Sequence, residues 1–455
     1  MASITSKKRI WGWMAFDWAT QPFYTSGLTF IFGPYFAVVA AQYFAGTGLN
    51  AEAASAQASS TWFWGQAIAG LVIAFTAPFL GAFSDSSGRK IPWIIAFSVI
   101  YVVTSFSLWW LFPDGSTMWV IFFAFWVGFV AAESALNFIN AILPSLGTDE
   151  EIGRISGSGA AFGYWGGVTS LFIMLIFFSE DGTGQTMVGL TSAFGLDQID
   201  RGGTRIVGPF IAIWYAVFMI PFFLYVRDDP NFIRPMPPVS KITRDLGQTL
   251  KNVWRNKSLS NFLIGSMLYR DALNAVYTGG GVYAALVLGW GTTQIGIFGI
   301  IAAITAAILT YVGGRCDARF GPKPVITVCI FVLVAVSIVI VGMSRESMLG
   351  LPFAPNSQMP DIIFFICGAA LGGAGGAIYA ASRSMMSRHT NPERPTEAFG
   401  LFALSGKATA FLAPALIGLS TQLTGSVRLG FLPVILLFFA GLVLLRFVKP
   451  EGDRL

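Results

Sequence analysis

The stretch PVITVCIFVLVAVSIVIVGM, residues 324–343, contains no charged side chain. A helix crosses the hydrocarbon core of a bilayer with about 20 apolar residues, so this stretch is long enough to span a membrane. Similar runs recur along the chain and are numbered here as spans 1 to 12. They are residues 17–41, 61–82, 91–112, 117–142, 155–179, 206–226, 259–288, 293–314, 324–343, 361–386, 397–420 and 427–447. The sequence therefore predicts an all-α integral membrane protein with twelve transmembrane helices.

The composition excludes a soluble protein and argues against catalysis. Hydrophobic residues make up 55% of the 455 residues and charged residues only 11%, against roughly 25% charged residues in soluble domains. Continuous apolar runs also differ from the alternating segments of about 10 residues in a membrane barrel. Cys316, Cys329 and Cys367 are isolated and His389 is the one histidine, so no disulfide framework, metal site or His-based catalysis is indicated. Without a Walker motif, we expect no cofactor, no ATP and no enzymatic activity.

The distribution of basic residues predicts the orientation, because cytoplasmic loops of membrane proteins are enriched in Lys and Arg. With the N-terminus in the cytoplasm, 22 of the 28 Lys and Arg residues lie in cytoplasmic segments. The others are Arg201, Arg205, Arg345 and Arg428 outside, and Arg270 and Lys407 within spans. We expect a multi-pass protein of the cell (inner) membrane with both termini cytoplasmic and no cleavable signal peptide. Topology explains the net charge of +5, so no nucleic acid is expected.

The longest cytoplasmic segment, residues 227–258, divides six spans from six. It predicts an N-terminal half over 1–226 and a C-terminal half over 259–455. The segment begins with four prolines, which suit an extended linker. It continues with an apolar face flanked by Lys and Arg, which predicts a basic amphipathic helix on the cytoplasmic membrane surface. That face consists of Ile242, Leu246, Leu250, Val253 and Trp254.

The two halves resemble each other weakly. The loop after span 2 reads GAFSDSSGRK over 81–90, and the loop after span 8 reads GRCDARFGPK over 314–323, with the glycines and the final lysine in register. Parallel repeats of six helices, with the binding site at their interface, are a recurring plan of transporters.

The first of these loops resembles the cytoplasmic loop motif of the major facilitator superfamily. Within that superfamily the chain resembles the branch of vacuolar amino-acid effluxers and their bacterial relatives. The matching stretches are Asp17-Trp18-Ala19, Ser156-Gly157-x-Gly159 with Gly163-Tyr164-x-Gly166-Gly167, Tyr269-x-Asp271, Ser382-Arg383-Ser384, and Phe399-Gly400-Leu401 with Ala403-Leu404-Ser405-Gly406-Lys407-Ala408-Thr409. They are spread along the whole chain, and the last stretch is the most specific to the branch.

The resemblance implies a role for the loop after span 2. Asp85 would lie near the N-terminus of span 11 and satisfy its free backbone N–H groups. With Gly81, Gly88, Arg89 and Lys90, it would form a gating loop that latches the two halves on the cytoplasmic side.

The chain departs from the family pattern at three places. Thr20 and Arg270 stand where the family often has Asn. Ala318 replaces the aspartate of the second loop, with Asp317 one place earlier. Arg270 therefore adds a charge near the expected site.

Ionisable side chains within the spans mark a candidate site for solute binding or coupling, because each is costly in hydrocarbon unless it faces a partner or water. At 1.5 Å per residue, Arg270 and Asp271 lie about 16–18 Å along span 7, and Lys407 about 15 Å along span 11, near the middle of the membrane. Glu133 in span 4 has Asn137 on the same helical face.

Asp17, at the predicted start of span 1, is the last charged residue of the candidate site. Four uncharged residues complete the set. Gln21 and Tyr24 share a helical face with Asp17, Asn274 follows Asp271 by three residues, and Tyr164 lies in span 5. Structural ion pairs are the alternative explanation for the charged members. Their net charge of −1 leaves room for a proton or a cationic group of the solute.

Gly368, Gly372 and Gly376 repeat every four residues in span 10. A phosphate-binding loop would need a preceding strand and a helix start, and neither is predicted here. Close packing of span 10 against another helix is the natural interpretation.

These patterns favour a secondary active transporter that works by alternating access on a small solute, most simply an amino acid or similar zwitterion. Its partners would be that solute, the lipid bilayer and H⁺ or Na⁺ as coupling ion. A carrier for sugars or drug-like cations is an alternative. A membrane-embedded enzyme and a non-transporting sensor on a carrier scaffold are alternatives of a different class.

The topology is testable with a reporter that is active only in the cytoplasm. Fusions after Pro230 and after Pro450 should both be active, because both positions fall on the predicted cytoplasmic side. A silent reporter at either position would contradict the predicted number of spans.

Overall fold

The computed structural model describes residues 7–180, 184–290, 292–355, 357–407, 412–424 and 426–453. Its α-helices are Lys7–Pro22, Phe32–Gly46, Ala51–Ser87, Ile91–Ser107, Met118–Asn140, Asp149–Phe177, Gly202–Arg205, Val207–Phe218, Ile220–Tyr225, Val239–Arg255, Lys257–Leu288, Thr292–Phe320, Pro322–Gly342, Met359–His389, Pro395–Lys407, Leu412–Thr424, Val427–Gly430 and Leu432–Arg446. A π-helix covers Phe23–Phe30, and short 3₁₀ turns cover Leu108–Trp110, Leu143–Ser145, Ala193–Gly195 and Pro230–Phe232. The strands Ser347–Met348 and Leu351–Pro352 form a small antiparallel hairpin.

Within the described residues, 11 helical stretches are long and apolar enough to cross a membrane. They correspond to every predicted span except span 7. Span 7 is the helix Lys257–Leu288, whose 32 residues give about 48 Å at 1.5 Å per residue, more than the hydrocarbon core of about 30 Å. Its length suffices, but Arg270, Asp271 and Asn274 near its middle make it more polar than the others.

The helix of span 1 extends beyond its predicted bounds. Helical structure covers Lys7–Gly46, so Asp17 lies within a helix that continues on both sides of it. The placement of Asp17 at the cytoplasmic start of the membrane span stays a prediction. The basic residues before the apolar run extend the helix, because their long side chains can reach the interface while the backbone stays helical.

Span 11 is described over Pro395–Lys407 and Leu412–Thr424. Residues 408–411 lie outside the described residues, and with them Ala408 and Thr409 of the branch-specific stretch. The sequence predicts this span over 397–420, and the candidate membrane span Pro395–Thr424 corresponds to it.

The first of two compact units comprises Met1–Ile73, Arg89–Ile139 and Phe162–Ile233. Aromatic side chains form much of its interior. Phe125 stacks on Phe23 and on Phe32 at centroid distances of 5.0 and 5.1 Å, and all three rings are buried. The packing joins span 1 to span 4.

The second unit comprises Ala74–Gly88, Asn140–Ala161 and Arg234–Leu455. It therefore combines spans 7 to 12 with the predicted cytoplasmic ends of spans 2, 4 and 5. In its core Tyr283 stacks on Phe364 at 5.4 Å and donates to the carbonyl oxygen of Ile340 at 2.8 Å. The division into two six-helix halves at 227–258 stays a prediction.

The linker helix Val239–Arg255 packs on protein instead of lying on the membrane with its apolar face. Ile242 and Leu246 are buried against Ala82 and Phe83 at the end of span 2. The predicted membrane contact is wrong for these two side chains, although Trp254 on the same helix is 73% exposed. An apolar helix face gains the same free energy from an apolar protein surface as from lipid, and sequence periodicity does not distinguish the two.

The packing of the linker helix is testable by truncation. Leu246→Ala should lower the free energy of unfolding by about 2–5 kcal/mol, because it removes a buried side chain and leaves a cavity. Thermal unfolding of the purified protein in detergent measures the change. Trp254→Ala is the matched control on the exposed side and should shift the melting temperature much less. Equal shifts for both variants would contradict the observed packing.

Candidate functional site

The carboxylate of Asp85 contacts the start of span 11. Its Oδ2 atom accepts a hydrogen bond of 2.8 Å from the backbone N–H of Glu397, the third residue of the helix Pro395–Lys407. The first N–H groups of a helix have no partner within it, and a negative charge there is favoured by the helix dipole. Asp85 therefore occupies the position that the resemblance implies, while its role in gating stays a prediction.

Two glycines let spans 2 and 11 approach each other closely enough for this bond. A Cβ atom on Gly81 would lie 2.6 Å from the carbonyl oxygen of Thr396, and one on Gly400 would lie 2.7 Å from that of Ala77. Neither contact is sterically possible, so any side chain at either position would push the two backbones apart. Gly88 ends the same loop with φ +68, a conformation that glycine adopts without strain.

The basic end of the loop belongs to the first unit. The backbone N–H groups of Lys90 and Ile91 donate to the two carboxylate oxygens of Asp228, at 2.9 and 3.1 Å. Asp228 thereby holds the start of the helix Ile91–Ser107. Sequence reasoning missed Asp228, although its position at the start of the linker, where the chain returns to the same membrane face, was an available signal. Arg89 is exposed.

A second network in the second unit surrounds Arg383, whose side chain is fully buried. Its Nη2 donates to the carbonyl oxygen of Ser156 at 2.8 Å and its Nε to the Ser156 hydroxyl at 3.1 Å. Its Nη1 donates to Oδ1 of Asn140 at 3.4 Å. The neighbouring Ser382 is bonded to the hydroxyl of Tyr269 at 2.8 Å. Three of the stretches that carry the family resemblance therefore meet here. The sequence analysis placed Arg383 in one of these stretches and among the cytoplasmic basic residues, but predicted no partner for it.

Arg270 and Asp271 of span 7 each contact one segment of span 11. Oδ2 of Asp271 accepts a hydrogen bond of 2.9 Å from the N–H of Ala413, the second residue of Leu412–Thr424. Arg270 donates to the carbonyl oxygen of Phe402 at 3.3 Å, and its guanidinium lies 4.4 Å from the centre of the Phe402 ring. The negative side chain thus accepts from a backbone N–H group, and the positive one contacts a backbone carbonyl and an aromatic ring.

The carboxylate of Asp271 can accept a further hydrogen bond. It is 3% exposed, and in the described part of the chain its Oδ1 atom has no hydrogen-bond partner. Within the same described ranges, no ion pair within 4.0 Å joins Asp271 to Arg270 or to Lys407. Lys407 is half-buried. Asn274 is exposed.

The remaining candidates lie together in the first unit, on spans 1, 4 and 5. The hydroxyl of Tyr24 donates to Oε1 of Glu133 at 3.2 Å. Asn137, one turn further along span 4, is 4% exposed, and neither polar atom of its side chain has a hydrogen-bond partner among the residues that the structure describes. The amide group of Asn137 is therefore buried at a cost that a polar ligand or water would relieve.

Span 5 reaches span 1 through its glycines. A Cβ atom on Gly163 would lie 3.1 Å from Cβ of Asp17, and one on Gly167 would lie 2.7 Å from Cγ of Gln21. Tyr164 lies between these glycines and is half-buried. The glycine-rich stretch of span 5 therefore serves to bring the polar face of span 1 close.

The glycines of span 10 face the helix Thr292–Phe320. A Cβ atom on Gly368 would lie 2.3 Å from Cε2 of Phe298, and one on Gly372 would lie 2.1 Å from the carbonyl oxygen of Ala302. Gly376 is buried. Within the described ranges no group of three or more His, Cys, Asp or Glu side chains could hold a metal ion.

Comparison with known proteins places this arrangement in context. The family described as vacuole effluxer Atg22 like matches residues 5–454. An uncharacterized MFS-type transporter of Bacillus subtilis (strain 168), YxiO, is 25% identical over 446 residues, which cover 96% of this chain and 94% of the relative. Autophagy-related protein 22 of Cryptococcus neoformans var. neoformans serotype D is 23% identical over 311 residues, 66% of this chain and 51% of the fungal protein.

Two solved structures have the same fold at low sequence identity. The Escherichia coli fucose:proton symporter FucP superimposes with a TM-score of 0.68 at 13% identity, covering 97% of this chain and 98% of that one. The human organic anion transporter MFSD10 (TETRAN) gives a TM-score of 0.65 at 14% identity, covering 96% and 98%. The fold is therefore the two-half helical bundle of major facilitator transporters.

The latch is testable without knowledge of the solute. Asp85→Asn removes the charge that interacts with the helix dipole, worth about 0.3–1 kcal/mol, and should shift the closed–open equilibrium by up to about fivefold. In a Thr396→Cys background, where the residue is buried beside Gly81, this shift should speed labelling by a soluble thiol reagent. Asp114→Asn changes an exposed loop carboxylate and is the matched control. An unchanged labelling rate in Asp85→Asn would exclude the latch.

Proposed function

The chain belongs to the family of Atg22-like vacuole effluxers, and from this premise we propose that it carries an amino acid or a similar zwitterion together with H⁺ or Na⁺. Family and fold identify it as a secondary transporter of the major facilitator superfamily and not as an enzyme. The solute, the coupling ion and the cell (inner) membrane with cytoplasmic termini are the parts that we propose.

The observation that carries the solute proposal is the pair Arg270 and Asp271. Two adjacent residues of opposite charge lie in the middle of a membrane helix, where each charge is costly without a partner. Among the described residues their charges are not paired with each other, since each bonds to the backbone of span 11. Oδ1 of Asp271 is available for a cationic group. A guanidinium has five N–H donors, and only one of those of Arg270 is engaged by a described hydrogen bond.

A zwitterion complements this pair in charge. Its ammonium group would donate to Oδ1 of Asp271, and its carboxylate would accept from the planar fork of Arg270, which matches carboxylates well. A sugar would leave both charges without a counter-charge, and a simple cation would leave Arg270 unsatisfied. Lys407 would add a second positive group for the carboxylate side of the solute.

The same contacts suggest how solute binding affects the gating loop. An ammonium group at Asp271 would weaken the attraction between that carboxylate and the N–H of Ala413, because the negative charge becomes shared. The segment Leu412–Thr424 would then be held less tightly. The other segment of span 11, Pro395–Lys407, carries Glu397 and its bond to Asp85, so binding and latch act on one helix.

The first unit would contribute the coupling ion. Glu133 accepts a hydrogen bond from Tyr24. It lies on the same helical face as Asn137, whose side-chain amide has no hydrogen-bond partner among the described residues. Asp17 is the second carboxylate of this group of spans. A carboxylate inside the membrane binds H⁺ directly, and Na⁺ is coordinated by carboxylate, amide and hydroxyl oxygens. Both ions remain candidates.

Uptake into proteoliposomes tests the solute and the ion together. Labelled amino acids should accumulate in response to a pH or Na⁺ gradient, and labelled sugars and drug-like cations should not. Asp271→Asn should reduce uptake at least tenfold while the protein keeps its melting temperature, since the amide oxygen of Asn still accepts the Ala413 hydrogen bond. Glu346→Gln, in an exposed loop, is the control.

A solute analogue tests whether Asp271 binds the solute or only holds span 11 in place. An N-acetylated amino acid lacks the ammonium group and should compete poorly with the parent amino acid for the wild-type protein. In Asp271→Asn this discrimination should disappear, because the carboxylate that binds the ammonium group has been removed. Unchanged discrimination in the variant would mean that Asp271 only holds span 11.

A further inference from the structure

A cavity of about 340 Å³ lies at the predicted cytoplasmic end of the second unit, apart from the residues assigned to transport. Its walls are the linker helix Val239–Arg255, the start of Lys257–Leu288, the end of Met359–His389 and the start of Pro395–Lys407. Small-molecule sites in proteins occupy about 300–1,000 Å³, so the cavity is large enough for a compact metabolite. Leu259 in its wall precedes Arg270 by about 16 Å along the same helix.

The cavity is negatively charged. Asp245, Glu393 and Glu397 line it, and among the described residues of its wall Arg394 is the one cation, which leaves a net charge of −2. Arg394 is already engaged, because it lies 3.1 Å from Asp245 and 3.6 Å from Glu397. The wall also contains apolar side chains, among them Leu259.

The buried carboxylate of Glu397 indicates that the cavity binds a ligand. The Glu397 carboxylate is 2% exposed and interacts with Arg394 and with the Thr249 hydroxyl. Its Oε1 atom has no hydrogen-bond partner within the part of the chain that the structure describes. An acceptor buried in this way costs free energy unless a donor satisfies it. An ammonium group has three N–H donors and the complementary charge.

We propose that this cavity binds a short aliphatic diamine, with one ammonium group against Glu397 and the other near Asp245 and Glu393. Two positive charges match the net charge of −2, and the carbon chain between them suits the apolar part of the wall. A metabolite with one ammonium group would satisfy Glu397 and leave one negative charge uncompensated.

Occupancy of the cavity would regulate the latch. The backbone N–H of Glu397 is the group that Asp85 binds, and Asp245 belongs to the linker helix. A diamine that bridges Glu397 and Asp245 ties the linker helix to the segment that Asp85 holds. It therefore stabilises the latched arrangement and slows the opening of the predicted cytoplasmic side.

Binding to the purified full chain tests the proposal, with 1,4-diaminobutane as the probe and calorimetry as the measurement. The diamine should bind at least tenfold more tightly than n-butylamine, and 1,4-butanediol should not bind. Glu397→Gln should weaken diamine binding at least tenfold at an unchanged melting temperature, and Glu346→Gln should bind as the wild type does. Absence of diamine binding, or equal affinity in Glu397→Gln, would overturn the proposal.

A second measurement reports on the latch. In the Thr396→Cys background, the diamine should slow thiol labelling several-fold, and this effect should be absent when Glu397→Gln is added. Binding without any change in labelling would refute the regulatory part. Neither measurement needs the transported solute, so failure here leaves the proposed transport of a zwitterion untouched, and the reverse also holds.

Discussion

The arrangement depends on two carboxylates that accept hydrogen bonds from the backbone of span 11. Asp85 accepts from Glu397, and Asp271 accepts from Ala413. The first N–H groups of a helix have no partner within it and find none in lipid, so at the start of span 11 partners must come from neighbouring helices. One carboxylate comes from the loop after span 2 and the other from the middle of span 7. Span 11 is therefore positioned by contacts that are polar, directional and individually breakable.

Breakable contacts suit a transporter, because a helix that must move cannot be held only by apolar packing. A hydrogen bond between a carboxylate and a helix start contributes a modest net free energy, which a solute charge or a change in exposure can offset. The apolar core around Tyr283 and Phe364 is of the opposite kind, since its packing has no alternative partner to exchange with. The second unit thus contains both an apolar interior and a polar edge.

Glycines and the buried Arg383 set how closely the helices meet at that edge. Gly81 and Gly400 allow spans 2 and 11 to touch through their backbones, and a Cβ atom on Gly157 would lie 2.4 Å from Cα of Gly314. The guanidinium of Arg383 donates hydrogen bonds to Ser156 and Asn140. Close approach at small residues and satisfied buried polar groups are both needed where helices pack without a hydrophobic driving force between them.

The sequence by itself determined the membrane class, the spans and the loop motif. Apolar length and basic flanks are one-dimensional properties, and they hold whatever the helices pack against. The same reasoning located Asp271, Arg270 and Glu133, because a charge within an apolar run is visible in the run itself. It also gave Asp85 its place near span 11, through resemblance to a family and not through periodicity.

Only the tertiary structure decided the partners of these groups. Whether Asp271 pairs with Lys407, with Arg270 or with the backbone N–H of Ala413 depends on helix rotation, which a run of apolar residues does not encode. The burial of Arg383 and the cavity beside Glu397 depend on segments more than 200 and more than 100 residues apart in the chain, Ser156 with Arg383 and Asp245 with Glu397. The linker helix shows the same limit: its periodicity specifies an apolar face, and the surface that covers Ile242 and Leu246 is specified by the fold, since apolar burial is non-directional.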